Sequence, residues 1–173
     1  MTPEFFARHY ADNIAKTVHR NFGMTKMFSL LVLNGPNLNL LGLRQPEVYG
    51  RTTLQEVDEL CVSTAAELGA KATCMQSNHE GVLIDAIHAA RGTKDGLVMN
   101  AGALTHTSIA LMDAIASAEV PFVEVHLSNI HAREEFRHKS YISKVAVGQI
   151  CGFGPQSYAL AIQGIINHLA ERV

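Results

Sequence analysis

Two residues of opposite chemical temper, Arg44 and Tyr49, stand five positions apart in the stretch LNGPNLNLLGLRQPEVYG (33–50). A tyrosine of ordinary pKa, about 10, is only about 0.1% phenolate at pH 7. Lowering that pKa by about three units requires about 4 kcal/mol of preference for the anion. One partly desolvated guanidinium about 4 Å away supplies that much at an effective dielectric of about 20. The pair therefore suits a phenolate base with a cationic partner. The plainer alternative has Tyr49 packing a loop edge and Arg44 solvated, and spacing alone does not displace it.

Glu124 and His126 alternate in FVEVHL (122–127), which places both on one face of a strand. Charged groups inside an apolar strand need partners. A carboxylate that orients a histidine and favours its protonated form makes a general acid; a satisfied buried pair at a strand end is the competing reading. Asn100 and His106 flank the Ala101-Gly102-Ala103 turn. They suit an anionic or hydroxylated ligand at a helix start, or simply tie down the turn. Asp113 reads as a solvated or interface carboxylate. Arg133 and Arg137, in the charged run His131–Lys139, follow the Glu124–His126 strand, where an arginine would suit a carboxylate or hydroxyl-rich ligand.

The elements that must position these groups follow from periodicity. Apolar runs predict five strands, at 28–33, 71–76, 96–100, 122–127 and 145–150. A capping box, Thr53-Leu54-Gln55-Glu56, opens a helix whose inward face carries Leu54, Val57, Leu60, Cys61, Thr64, Ala65 and Leu68. A second helix, 79–91, turns Val82, Leu83, Ala86, Ile87 and Ala90 inward. A third starts around Thr105 or Thr107, with Ile109, Met112, Ile115 and Ala116 on one side. The last runs from Gln156 to about Ala170. Alternating strands and helices imply a parallel sheet with right-handed crossovers. At this size the expected fold is a flavodoxin-like doubly wound five-stranded sheet, order 2-1-3-4-5, which binds ligands at the carboxyl ends of its strands. Every polar cluster above falls at or just after a strand end. The stretch 33–50 is then a loop of about seventeen residues, too apolar to be disordered and long enough to serve as a lid. Its glycines (Gly35, Gly42, Gly50) offer hinges and Pro36 and Pro46 stiffen it.

The 173 residues suit one domain with a full core, and a net charge of −2 points to neither nucleic acid nor an anionic membrane. Three widely spaced cysteines (Cys61, Cys74, Cys151) suggest reduced thiols in a cytoplasmic protein. No apolar run is long enough to span a membrane. Residues 1–26 have no signal-peptide core and form an N-terminal extension, helix or disordered arm, ahead of a single catalytic domain at 27–173. No GxGxxG follows the first strand and no GxxxxGK[ST] exists, so dinucleotide and P-loop chemistry lack their motifs. Nine histidines include no HExxH and no metal-ligand spacing, so no metal is expected. Lys94, Lys139 and Lys144 are not placed for Schiff-base work.

Six segments together resemble the type II 3-dehydroquinate dehydratases: NGPNLNLLGLRQPEVYG (34–50), QSNHEG (76–81), NAGALTHTS (100–108), ALMDA (110–114), EVHLSNIHAREEFRHKSYIS (124–143) and GFGPQSYALA (152–161). The resemblance runs from Met27 to the C-terminus. It implies cofactor-free loss of water from 3-dehydroquinate, giving 3-dehydroshikimate through an enolate, in the shikimate pathway. It further implies Tyr49 as the base and Arg44 as the group lowering its pKa. Asn37 would hold a water on the enolate oxygen. His126 would be the acid, oriented by Glu124. The substrate carboxylate would fall to Asn100, Leu127 and Ser128, and the ring hydroxyls to His106 and Arg137. Arg133 would support the lid side, and Asp113 would reach a neighbouring subunit's site in a dodecamer, a tetramer of trimers. The rival is a non-enzymatic flavodoxin-like module binding phosphate or flavin at the same switch point.

Overall fold

The computed structural model describes residues 26–43 and 51–172. Arg44 and Tyr49, the second half of the expected lid and the N-terminal extension through residue 25 lie outside the described residues. The described residues form five strands and four α-helices: β1 (Ser29–Asn34), α1 (Leu54–Glu67), β2 (Lys71–Gln76), α2 (Glu80–Ala90), β3 (Gly96–Asn100), α3 (Ile109–Ala118), β4 (Phe122–His126), β5 (Gly148–Cys151) and α4 (Gln156–Ala170). All strand pairs are parallel and the order is β2-β1-β3-β4-β5, the doubly wound arrangement expected.

The central strands read as unbroken apolar runs because both their faces are covered. Alternation along β1 sends Leu30 and Val32 to one side and Leu31 and Leu33 to the other. The first pair joins Val98, Val123 and Val125 in a core with Val57, Cys61, Tyr158, Ile162 and Ile165, under α1 and α4. The second pair joins Leu97, Met99 and Phe122 with Leu83, Ile87, Leu111 and Ile115, under α2 and α3. The same alternation places Asn34 and Asn100, register partners across β1 and β3, on the α1/α4 side. Glu124 and His126 go to the α2/α3 side.

Several expectations shift. The strand expected at 28–33 runs one residue later, so Asn34 belongs to the sheet. The fifth strand starts at Gly148 rather than Val145, because Ile142–Val145 closes a 3-10 turn. The third helix is delayed by a 3-10 turn, Gly102–His106, and begins only after Ser108, whose hydroxyl accepts from Leu111 N at 2.8 Å. Its buried face is Leu111, Ala114, Ile115 and Ala118. Ile109 and Ala116, assigned inward by periodicity, are exposed, as is Val82 on α2. The capping box of α1 is present in full: Thr53 N donates to Glu56 at 2.7 Å, and Glu56 N to Thr53 Oγ1 at 3.3 Å.

Candidate active site

The ends of β1 and β3 are pressed together at the switch point. Gly35 N donates to Asn100 O at 2.8 Å. A Cβ on Gly35 would stand 2.5 Å from Ala101 O, so no side chain fits there. Gly102, at φ +57°, takes the left-handed conformation that lets the second loop turn beneath Pro36. The first half of the expected lid is not loose. Leu38–Leu40 forms a 3-10 turn, and Leu38 and Leu41 are buried in the α1/α4 core.

Above this junction lies a cleft of about 210 Å³, sized for a small single-ring ligand. It is lined by Asn37, Asn100, His106, His126, Leu127, Ser128, Arg133, Glu134 and Arg137, with Leu38, Leu40, Leu41 and Ile130 as its apolar wall. Eight of the side chains singled out from sequence therefore meet in one place. Asn37 sits in the left-handed region at φ 68°, tolerable for an asparagine, and its backbone N–H donates to Asn78 Oδ1 at 2.9 Å. Asn78 is in turn held by Gln76 Nε2 at 3.1 Å.

Glu124 is wholly buried and His126 nearly so, at 0% and 5% exposure. His126 Nε2 lies 2.6 Å from Glu124 Oε1. An acceptor-only carboxylate on that nitrogen requires a proton there, which leaves Nδ1 as the ring nitrogen for the cleft. The carboxylate also accepts from Gln149 Nε2 at 2.9 Å and, on its other oxygen, from Ser140 Oγ at 2.9 Å. Ser140 Oγ is itself fixed by Ser143 N at 3.0 Å. Three donors offset the cost of burying this charge. Nothing in the sequence pattern marks Ser140 or Gln149. They come from an irregular loop and an edge strand, and only the fold brings them to Glu124.

His106 Nδ1 bonds Lys139 O at 2.8 Å. Burial pushes its pKa below the usual histidine range. The nearby His126 and Arg137 push the same way, against the Lys139 carbonyl and Glu124. Arg137 Nε binds Glu134 Oε2 at 2.9 Å and Arg133 Nε approaches the same oxygen at 3.5 Å. The backbone hydrogen bond at Glu134 and these two arginines hold the Glu134 carboxyl below its usual range. Asn100 is buried, donating to Tyr158 Oη at 3.0 Å and accepting from Gly102 N at 3.2 Å. The turn after β5 braces the end of β4, with Gly152 N on His126 O at 3.3 Å and Gly154 N on Leu127 O at 2.9 Å. Asp113 does not line the cleft; it is exposed on α3.

Fold and site together define a parallel α/β protein with a small polar cleft at its switch point, carrying a buried carboxylate–imidazole pair and a cluster of arginines. The family model described as dehydroquinase class II matches residues 28–166, and the chain belongs to that family. It is 64% identical over 144 residues to a 3-dehydroquinate dehydratase of Ruegeria pomeroyi, covering 83% of this chain and 97% of the relative. To one of a Nostoc species it is 62% identical over 141 residues, covering 82% and 96%. The crystal structure of a type II dehydroquinase from Butyrivibrio crossotus superposes with a TM-score of 0.79 at 42% identity, covering 81% of this chain and 98% of that one. The non-enzymatic flavodoxin-like module is not favoured, since these relatives carry an enzyme's name.

Proposed function

We infer that this chain is a hydro-lyase, a 3-dehydroquinate dehydratase that removes water from 3-dehydroquinate to give 3-dehydroshikimate in the shikimate pathway, without a cofactor. The observation that carries the reading is the buried Glu124–His126 pair, 2.6 Å apart, at the wall of a small cleft in a chain of this family. Elimination beside a ketone needs a base, stabilisation of the developing enolate and a proton donor for the leaving hydroxyl.

In the proposed mechanism Tyr49, as phenolate, takes a proton from C2, and the electron pair moves onto the ketone oxygen. Arg44 lowers the tyrosine's pKa, and a water held by Asn37 stabilises the enolate. Collapse of the enolate forms the C1–C2 double bond and expels the C1 hydroxyl, which leaves as water with a proton from His126. The net change is loss of one water, and the proton on Tyr49 returns to His126 through solvent. Asn100, Leu127 and Ser128 hold the substrate carboxylate, and His106 and Arg137 hold ring hydroxyls. Arg133 supports the lid side. The catalytic unit spans 27–173, with residues 1–26 outside it. The proposed assembly is a cytoplasmic dodecamer, a tetramer of trimers, in which Asp113 reaches a neighbour's site.

Mixing the purified chain with 3-dehydroquinate tests this directly. The product is a conjugated enone, so its ultraviolet absorbance should rise with time. Tyr49→Phe should cut turnover about a thousandfold, within the usual range for losing a general base, while ligand binding persists. No absorbance from the wild-type chain overturns the activity, and near-normal turnover in Tyr49→Phe overturns the assignment of the base.

A further inference from the structure

Behind the cleft lies a chain of hydrogen bonds of which only the first member, Asn100, has a part in the proposed elimination. It runs from Asn100 to Tyr158 on α4, on to Asn34 at the end of β1, and ends at Asp58 on α1. Asn100 Nδ2 donates to Tyr158 Oη at 3.0 Å, Tyr158 Oη to Asn34 Oδ1 at 2.6 Å, and Asn34 Nδ2 to Asp58 Oδ1 at 3.3 Å. Tyr158 and Asn34 are wholly buried, and neither lines the cleft.

The chain can run in one direction only. At its front, Gly102 N, which as a backbone N–H can only donate, lies 3.2 Å from Asn100 Oδ1. The oxygen of that amide is thereby committed, and its nitrogen faces Tyr158. Burial pushes the Tyr158 phenol up, so it keeps its proton and has one hydrogen to give. Having accepted from Asn100, it gives that hydrogen to Asn34. Asn34 then turns its nitrogen to the Asp58 carboxyl oxygen. Reversing the order sets two donors face to face at Gly102. Asn100 Nδ2 carries two hydrogens; one goes to Tyr158, and the second is left for the cleft that Asn100 lines.

We propose that Tyr158, held by Asn34 and Asp58, is a positioning residue that locks Asn100 with its N–H toward the cleft, and so makes the site selective for a carboxylate over a neutral amide. The choice of ligand rests on the dehydratase reading; the locking does not. Without the phenol oxygen, Asn100 keeps only the 3.2 Å bond to Gly102. That one bond is then all that opposes rotation of the amide, where in the wild type the bond to Tyr158 opposes it as well; the turned oxygen would repel a carboxylate but accept from a carboxamide.

The test compares quinate, the alcohol counterpart of the substrate, with its primary carboxamide as competing ligands, measured by titration calorimetry. The wild-type chain should prefer quinate by at least about tenfold, the worth of one hydrogen bond to a charged group. In Tyr158→Phe that ratio should fall by about tenfold, with the carboxamide affinity changed less than about twofold. Asn34→Leu, which keeps Tyr158 in place but removes the acceptor of its proton, should lower the ratio in the same direction. Adding Tyr158→Phe to Asn100→Ala should change the ratio no further, because Tyr158 acts only through that amide. Equal weakening of both ligands in the single variants, an unchanged ratio, a wild-type ratio near one, or a further fall in the double variant each overturns the proposal. A wild type that discriminates but leaves 3-dehydroquinate unchanged overturns the dehydratase reading and not this one.

Discussion

The Glu124 carboxylate has three donors and no direct contact with bulk water, so its charge and its shape can be separated experimentally. In Glu124→Gln the amide oxygen can take the Oε1 position, where His126 and Gln149 donate, and the NH2 can face Ser140, whose hydroxyl is able to accept. The fold should survive with the imidazole in place but without its countercharge. Steady-state kinetics should show kcat down about a hundredfold and KM within about threefold, the pattern of an interaction felt mainly in the transition state. A raised KM with kcat intact would make the pair a binding device instead. His106 supplies a pH test. Burial holds its folded pKa below the unfolded value of 6.5. The unfolded chain therefore binds the proton more readily, and stability rises with pH between the two values. The contribution is fully present above the unfolded value and is lost as pH falls through the folded one. Melting temperatures from pH 7.5 down to 5 should fall less steeply in His106→Gln than in the wild type. The Glu124–His126 pairing could be read from sequence because a period of two is a local rule. The donors on Glu124 and the chain behind Asn100 could not, because each joins elements far apart in sequence.

The junction of β1 with β3 makes the cleft possible, and it depends on an absent side chain. Gly35→Ala forces a methyl to within 2.5 Å of Ala101 O, a backbone atom that cannot rotate away. The two loops must separate, which breaks the 2.8 Å bond from Gly35 N to Asn100 O and moves Asn100 itself. Overpacking of this kind costs about 1–3 kcal/mol, and the lost bond adds about 1 kcal/mol. Urea denaturation should therefore show a loss of at least about 2 kcal/mol, with the m-value unchanged. A stability within about 0.5 kcal/mol of wild type would mean that the loops already separate easily. The strand order and the placement of polar clusters after strand ends were open to sequence reasoning, because continuous apolar runs and βα alternation are strong signals. The start of α3 was not. The 3-10 turn Gly102–His106 has no apolar period of its own, and Ser108 caps the helix later than Thr105 or Thr107 would.

In the molecule as a whole, α3 carries an outward stripe that the other described residues do not cover. Ile109 is 54% exposed, and Asp113 lies one turn further along the same exposed face. A single exposed isoleucine is ordinary. An isoleucine and a carboxylate on one helix face are what the proposed trimer contact would use, with the apolar residue buried and the acid delivered to the neighbour's cleft. The two roles separate by substitution. Ile109→Lys should lower the mass measured by analytical ultracentrifugation from about twelve times the 18.8 kDa chain to that of smaller species, with far-UV circular dichroism preserved. Asp113→Ala should leave the mass high but reduce kcat/KM by about tenfold, as expected for losing one charged contact at the site. Because the acid would act across the interface, mixing Asp113→Ala with Tyr49→Phe subunits before assembly should give more activity than the sum of the two variants assayed separately. A mixture no more active than the sum of its parts would return Asp113 to the status of a solvated carboxylate.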